Sequence, residues 1–274
     1  METSGSKITL RNQAIKIEFS VNSHNCFMNN VKFVLSNPIA KLKGTAIISE
    51  IDIVKLIDPI LRPHQIPQNA NFKTIIVDPG HGGKDPGAVN RYGTEAYYNL
   101  KVAKRLQGYL IKQGFKVIMT RSDNTFVSLS DRVQLANKYQ DAVFISIHFN
   151  AGGAGKAKGL ETFVLSPQGV AHPGRKVKAS DHRELRGNLQ DSQNIALATA
   201  IHGSSLPRLK LDDRGIKRAR YSVLCSIKHP AILIEGGFMS HPQEAQKIHT
   251  TAHQDNLAKG ITEGIMKYRL ALSK

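Results

Sequence analysis

Residues 73–113, KTIIVDPGHGGKDPGAVNRYGTEAYYNLKVAKRLQGYLIKQ, decide the fold. Thr74 to Val77 is a β-branched run with the composition of a buried parallel strand. It stops at Asp78-Pro79-Gly80, where proline and glycine turn the chain. His81 stands on that turn, ahead of Gly82 and Gly83. A glycine-rich loop then leads to a helical pattern ending at Gln113. Thr94 is its expected N-cap, and Leu100, Ala103, Leu106, Leu110 and Ile111 mark its apolar stripe. A histidine at a strand end and a carboxylate, Glu95, at the next helix start can converge on one point. Open α/β sheets build their sites there, at the carboxyl ends of the strands.

Two later stretches repeat the arrangement. AVFISI (142–147) ends in His148-Phe149-Asn150, and AILI (231–234) ends in Glu235-Gly236-Gly237. Each delivers a metal-competent or acid–base residue to a turn. Between and after them the pattern predicts a strand over 115–119, a helix over 130–139 capped by Ser130, and a strand over 159–166. Helices follow over 191–205 and from about Thr250 to Leu270. The β-α-β order implies right-handed crossovers and a parallel core. The expected fold class is α/β, a twisted, mainly parallel sheet between helices, preceded by a small β-rich domain.

The segments VDPGHGG, the glutamate of GTEAYYNL, SIHFNA and ILIEGGFMSHPQE resemble the zinc-dependent N-acetylmuramoyl-L-alanine amidases of the amidase-3 family. The match runs in the family's order from about Lys73 to Tyr268 and leaves out the first 70 residues. The resemblance implies a peptidoglycan hydrolase that cuts the amide between N-acetylmuramic acid and the L-alanine of the stem peptide. It also implies one Zn2+ per chain, held by His81, Glu95 and His148, with Glu235 as general acid/base. Two imidazoles and a carboxylate suit a hydrolytic zinc site, which keeps a fourth position for water. The ion lowers the pKa of that water towards 7, and a nearby carboxylate must carry its proton. Glu235, ending an apolar strand, is the residue for that role.

Other residues are less decided. Asp78 and Asn150 adjoin the ligands; either can orient them, and Asn150 can also meet substrate. Arg214, Lys217 and Arg220, in LDDRGIKRARYSVL, can meet substrate carboxylates or form a solvated basic face. Arg121 and Arg132 read as scaffold residues fixing loops near the site. His229 and His241, flanking the Glu235 strand, read as structural or solvent-facing. The polar stretch 167–190 has no apolar periodicity and reads as a long loop. Its place suggests a flap beside the cleft. Some relatives carry a blocking insertion in this region, released by a protein activator, so an activator is a partner to consider.

The chain of 274 residues suits one large domain and a small one. The boundary is expected near 70, with HQIPQNAN (64–71) as a linker. Before it, ITLRNQAIKIEFS and NNVKFVLSNPI alternate like strands, and 49–61 reads as a short helix with Ser49 as N-cap. His24 and His64 are isolated there, and the unit reads as a wall-docking module or a structural cap. Hydrophobic residues make up 41% of the chain, enough for a core, and no apolar run approaches transmembrane length. Cys26 and Cys225 have neither metal nor disulfide spacing and read as small buried hydrophobes.

The net charge of +17 calls for an anionic partner. Nucleic acid is not expected: no helix-turn-helix, RNA-binding signature or zinc-finger spacing is present, and only 6% of residues are aromatic. Cell-wall material attracts such a surface equally well. HExxH, GxSxG, a Cys/His pair and a P-loop are all absent, which excludes the chemistries they serve. The competing readings are a zinc peptidase or deacetylase on another amide, and a wall-binding protein with a structural zinc. The family implies a periplasmic or cell-wall location. METSGSKITL is no export signal, so a signal is expected to have been removed from the sequence as given.

Overall fold

A computed structural model describes residues 2–66 and 71–273. Five antiparallel strands open the chain: β1 (Glu2–Ser4), β2 (Lys7–Arg11), β3 (Lys16–Ser20), β4 (Asn25–Met28) and β5 (Val31–Val34). A ribbon of β6 (Ala40–Leu42) and β7 (Thr45–Ile47) follows. The helical segment read at 49–61 is α1 (Glu50–Asp52), a π turn (Ile53–Ile57) and α2 (Asp58–Leu61). Ser49 occupies its N-cap position, but the hydroxyl donates to Asp52 instead of accepting a backbone N–H. Of the linker read at 64–71, residues 67–70 lie outside the described residues.

The rest of the chain alternates. It runs β8 (Thr74–Pro79), a short ribbon β9 (Val89–Asn90) and β10 (Gly93–Thr94), α3 (Glu95–Lys112), β11 (Lys116–Met119) and α4 (Leu129–Asn137). Then come β12 (Ala142–Asn150), β13 (Leu160–Leu165), α5 (Asp191–Leu209), β14 (Asp213–Ala219) and the single turn α6 (Ser222–Cys225). β15 (Ala231–Phe238), α7 (Pro242–His249) and α8 (Thr251–Leu272) complete it. The cap of α4 is Ser128 and not Ser130: its hydroxyl accepts from Asp131 N, so the helix starts earlier than its apolar pattern indicated.

One sheet of eleven strands runs in the order β1-β2-β3-β4-β5-β14-β13-β15-β12-β8-β11. β11, β8, β12 and β15 are parallel, which puts the turns after β8, β12 and β15 at one edge. β13 runs antiparallel to β15 and parallel to β14, so the sheet is mixed but mostly parallel in its centre. The amino-terminal strands are not detached from it. β5 meets β14 in a parallel bridge, Phe33 opposite Ile216, and both side chains are buried in the same apolar cluster as Ile195 and Ile261.

That cluster lies under α3, α5 and α8 and takes alternate residues of the central strands: Ile145, Ile147, Ile232 and Ile234. The intervening residues, Phe144, Ala231, Leu233 and Phe163, form a smaller cluster on the opposite face. Period-two alternation therefore assigns each strand residue to a face. His148, Glu235 and Glu161 share the face of the smaller cluster, at the end of the sheet where the cleft opens.

Residues 167–190 are not among the lining residues of that cleft, but His172 meets edge-on, at 5.6 Å, the ring of Tyr221, which does line it. They fold into two 3-10 turns, Ala179–His182 and Arg186–Gln190, around buried Asp181. Asp181 accepts from Arg175 and from Lys178 N, and Arg220 pairs with it at 3.0 Å. The stretch 169–177 lines a separate cavity with His24 and residues 34–37.

Candidate active site

The cleft has a volume of about 720 Å³ and gathers residues from several strand ends. His81 sits on the turn after β8 at φ +60°, a left-handed conformation that costs a non-glycine residue energy. Two buried arginines hold the turn. Arg132 donates to Pro79 O and His81 O, each at 2.8 Å, and pairs with Asp78 at 2.6 Å. Arg121 donates to Pro79 O, Gly80 O and Ala96 O, tying the turn to the start of α3. Asp78 itself is spent on Thr120, Arg132 and Ser146 and does not touch the histidines.

Glu95 opens α3, whose cap is Thr94 accepting from Tyr97 N. Its Oε1 lies 2.8 Å from His148 Nδ1 and 3.2 Å from His81 Nε2, between the two imidazoles. Oε2 accepts from Ala88 N at 3.0 Å. Donor atoms of His81, Glu95 and His148 all fall within 4.8 Å of one another, a spacing that can hold a metal ion. Glycine makes the room. A Cβ on Gly80 would lie 2.1 Å from the His148 ring, and one on Gly87 would crowd Glu95 and His81.

Charge on these groups follows from their contacts. Burial alone would raise Glu95, but its hydrogen bonds with His148 and His81 outweigh burial and hold the carboxyl well below its ordinary value. Burial opposes a charged His81, yet Glu95 and Asp85 together raise it to about 8. Asp85 Oδ2 lies 2.8 Å from His81 Nδ1, leaving Nε2 to face Glu95. A carboxylate behind a ligating imidazole fixes its tautomer in this way.

Glu235 stands next to His148 in register across β15 and β12. It is 8% exposed, and its Oε2 has no hydrogen-bond partner among the described residues. Burial, then the negative charges of Glu95 and Glu161, push its carboxyl well above the ordinary value. Glu161 is opposite Glu235 on β13. Burial favours its neutral form, but hydrogen bonds from Lys217 and Arg214 prevail and keep it below its ordinary value. Glu235 therefore resists ionisation while its neighbours Glu95 and Glu161 are held ionised.

Asn150 lines the cleft and donates to Glu161 Oε2 at 2.9 Å. Arg214 pairs with Glu161 and stacks over Phe238, outside the lining residues of the cleft. Arg220 is also outside them: its guanidinium donates to Pro167 O, Val170 O and Asp181 O, bracing the 167–190 stretch. Tyr221 does line the cleft, and burial, helped by Glu235 and Glu161, pushes its hydroxyl up to about 12. His229 faces Ala136 O, and His241 caps α7 by accepting from Glu244 N. Asp85 and Glu161 went unread in the sequence. Asp85 sits in the same glycine-rich loop as His81, a signal that was available; Glu161 had none, because only strand pairing brings it to Glu235.

The amidase-3 family profile, described as N-acetylmuramoyl-L-alanine amidase, matches residues 75–267. N-acetylmuramoyl-L-alanine amidase AmiA of Escherichia coli K12 is 30% identical over 219 residues, 72% of this chain and 76% of that protein. The catalytic domain of CwlV, an N-acetylmuramoyl-L-alanine amidase from Bacillus (Paenibacillus) polymyxa var. colistinus, superposes with a TM-score of 0.61 at 31% identity. That match covers 72% of this chain and 97% of CwlV's domain. The CwlD amidase of Clostridioides difficile, solved in complex with the GerS lipoprotein, gives 0.59 at 28% identity, over 72% of this chain and 98% of CwlD.

Proposed function

Because this chain belongs to the amidase-3 family of N-acetylmuramoyl-L-alanine amidases, we propose that it is a zinc enzyme cutting the amide between N-acetylmuramic acid and the stem-peptide L-alanine of peptidoglycan. The observation carrying this reading is the convergence of His81, Glu95 and His148 on one point beside the Glu235 carboxyl, whose Oε2 has no hydrogen-bond partner among the described residues. The donor set fits: two imidazoles and a carboxylate are zinc ligands, and the glycines leave them room. His81 through Nε2, Glu95 through Oε1 and His148 through Nδ1 would hold the ion. When bound, it supplies Lewis acidity, activating water and polarising the scissile carbonyl.

The protein's own groups do the rest. Asp85 keeps the His81 proton on Nδ1 and so frees Nε2 as a donor atom. Glu235, its pKa raised by burial, takes a proton from the attacking water and passes it to the departing L-alanine amine. Glu161, anchored by Lys217, Arg214 and Asn150, holds a fixed negative charge beside Glu235 that favours its protonated form. Tyr221 stays protonated well beyond neutral pH and can donate a hydrogen bond into the cleft.

The substrate puts this activity outside the cytoplasm, at the periplasm or cell wall. Among the described residues no helix is long and apolar enough to cross a membrane. A protein activator is part of the proposal, in keeping with the lipoprotein complex of CwlD. The test is digestion of purified peptidoglycan with mass spectrometry of the new termini. Free L-alanine amines beside intact muramic carboxyls are expected, and cleavage elsewhere in the peptide would refute the bond assignment. Metal analysis should find one zinc per chain, largely lost in His148→Ala.

A further inference from the structure

The open face of the sheet continues past the catalytic residues. Alternation sends Phe33, Ile216 and Cys26 into the cluster under the helices, so their neighbours Lys32, Val34, Lys217 and Asn25 face the other way, as His148, Glu235 and Glu161 do. On that face a second cavity, of about 540 Å³, lies across β14, β5 and β4. Both of its walls matter. Lys156, Lys158, Arg214 and Lys217 come from the part matched by the family, while Asn25, Lys32 and Val34 come from the amino-terminal strands outside that match.

Its charge is unbalanced. Five cations face three carboxylates: Asp212 and Asp213 in the lining, and Glu161 behind Arg214 and Lys217. Asp212 pairs with Lys158, and Asp213 accepts from His202 and from the backbone of Lys32. The ammonium groups of Lys32, half-buried, and Lys156 have no acidic partner among the described residues. Lys156 is exposed, and together with half-buried Lys32 it leaves positive charge on a concave surface, which attracts an anion.

Strand order sets the distance. From β15, which carries Glu235, to β5, which carries Lys32, is three steps along the sheet. At about 4.8 Å per step that is roughly 14 Å, the span of about four residues of extended peptide. We infer that this cavity is a carboxylate-binding subsite for the stem peptide, built jointly by the amino-terminal strands and the catalytic part, and that it reads acidic groups about three to four residues beyond the scissile amide. The inference rests on the amidase reading. It gives Lys32 and Lys156 a role in choosing substrates and leaves the chemistry to the cleft.

The test uses the full chain and two synthetic muramyl tetrapeptides, one with free carboxylates on its third and fourth residues, the other with both amidated. KM is measured for each, together with Kd for the corresponding peptides lacking the muramyl group. The wild type should favour the carboxylate form about tenfold, as a charged hydrogen bond contributes. Lys32→Met with Lys156→Met should bring that ratio close to one, and Lys32→Arg with Lys156→Arg should restore it. Equal KM and Kd for both forms in the wild type would overturn the subsite. So would poly(glycerol phosphate) competing with substrate while the carboxylates make no difference, since the cavity would then serve a wall polymer. Discriminating binding without cleavage would uphold the subsite and refute the amidase reading instead.

Discussion

The two halves of the sheet are built differently. In β8, β12 and β15 nearly every residue is buried, and polar side chains at or just past their ends line the cleft, among them His81 after β8, His148 and Glu235. In β3 and β4 buried side chains alternate with more exposed ones, β1 is exposed throughout, β2 has no buried residue, and among the described residues no group of potential metal ligands occurs there. The family match covers the first half and stops before the second. Chemistry thus sits where parallel strands end together at one edge, and the antiparallel half contributes charge and shape to the same face. The seam between them adds buried polar pairs to the shared apolar cluster. Asp52, fully buried, pairs with Arg218 of β14 at 2.8 Å and accepts from Ser36 N and Asn37 N; Lys55 reaches Asp191 at 3.4 Å.

The comparison breaks most visibly at Glu235. Glu235→Gln keeps the shape but cannot carry a proton at neutral pH, so the rate should fall by about 10²–10⁴ with zinc and fold retained. Amidase rate and metal content on the same preparation decide it: an unchanged rate removes Glu235 from the mechanism, and joint loss of rate and zinc makes it a ligand.

The seam comes next. Asp52→Ala leaves Arg218 buried without its partner, which should cost about 3–5 kcal/mol, readable from the urea midpoint. Our division of the chain at 70/71 is a proposal, and calorimetry of the same variant tests it. Two domains require the transition of 71–274 to stay where it is; a single lowered transition makes the halves one cooperative unit.

A smaller effect is expected in acid. Glu161 and Asp213 are both held below their ordinary pKa in spite of burial, Glu161 by Lys217 and Arg214, Asp213 by His202. A depressed carboxyl stabilises the fold above its unfolded value and loses that contribution as pH falls through the folded one. The contribution of these two carboxyls should therefore be level near neutrality and decline below about pH 4.5. Glu161→Gln should start less stable at pH 7 and decline less steeply, and parallel curves for the two proteins would contradict this. Smallest of all, Thr94→Ala removes the cap of the helix that presents Glu95 and should cost about 1 kcal/mol in denaturant melts.

Much of the catalytic half was legible because its signals are local. The β-branched run, the Pro-Gly stop and Thr94 as cap specify strand, turn and helix within neighbouring residues, and they lead to His81 and Glu95. What escaped depends on partners distant in sequence. Glu161 lies in an unremarkable strand, and its place beside Glu235 follows from β13 reversing direction, which no local pattern records. The 167–190 stretch read as a loop without apolar periodicity; its order comes from Asp181 gathering Arg175 and Arg220, and the partner at 220 is distant in sequence. Ser130 read as the cap, yet a second serine stands two residues earlier, and only the geometry at Asp131 separates them.

The bridge between Phe33 and Ile216 also sets a schedule. The two positions are 183 residues apart in the chain (216 − 33). At about 5–20 residues per second of synthesis, the first five strands wait roughly 10–40 s before β14 exists. Until then β5 is an edge strand with unpaired backbone groups, open to pairing with another chain. Closure of so distant a contact is slow, because the loop entropy is lost before the contact forms. Joining the two halves is therefore the late event in folding, and substitutions at this seam should alter the yield of soluble protein more than they alter the rate of the finished enzyme.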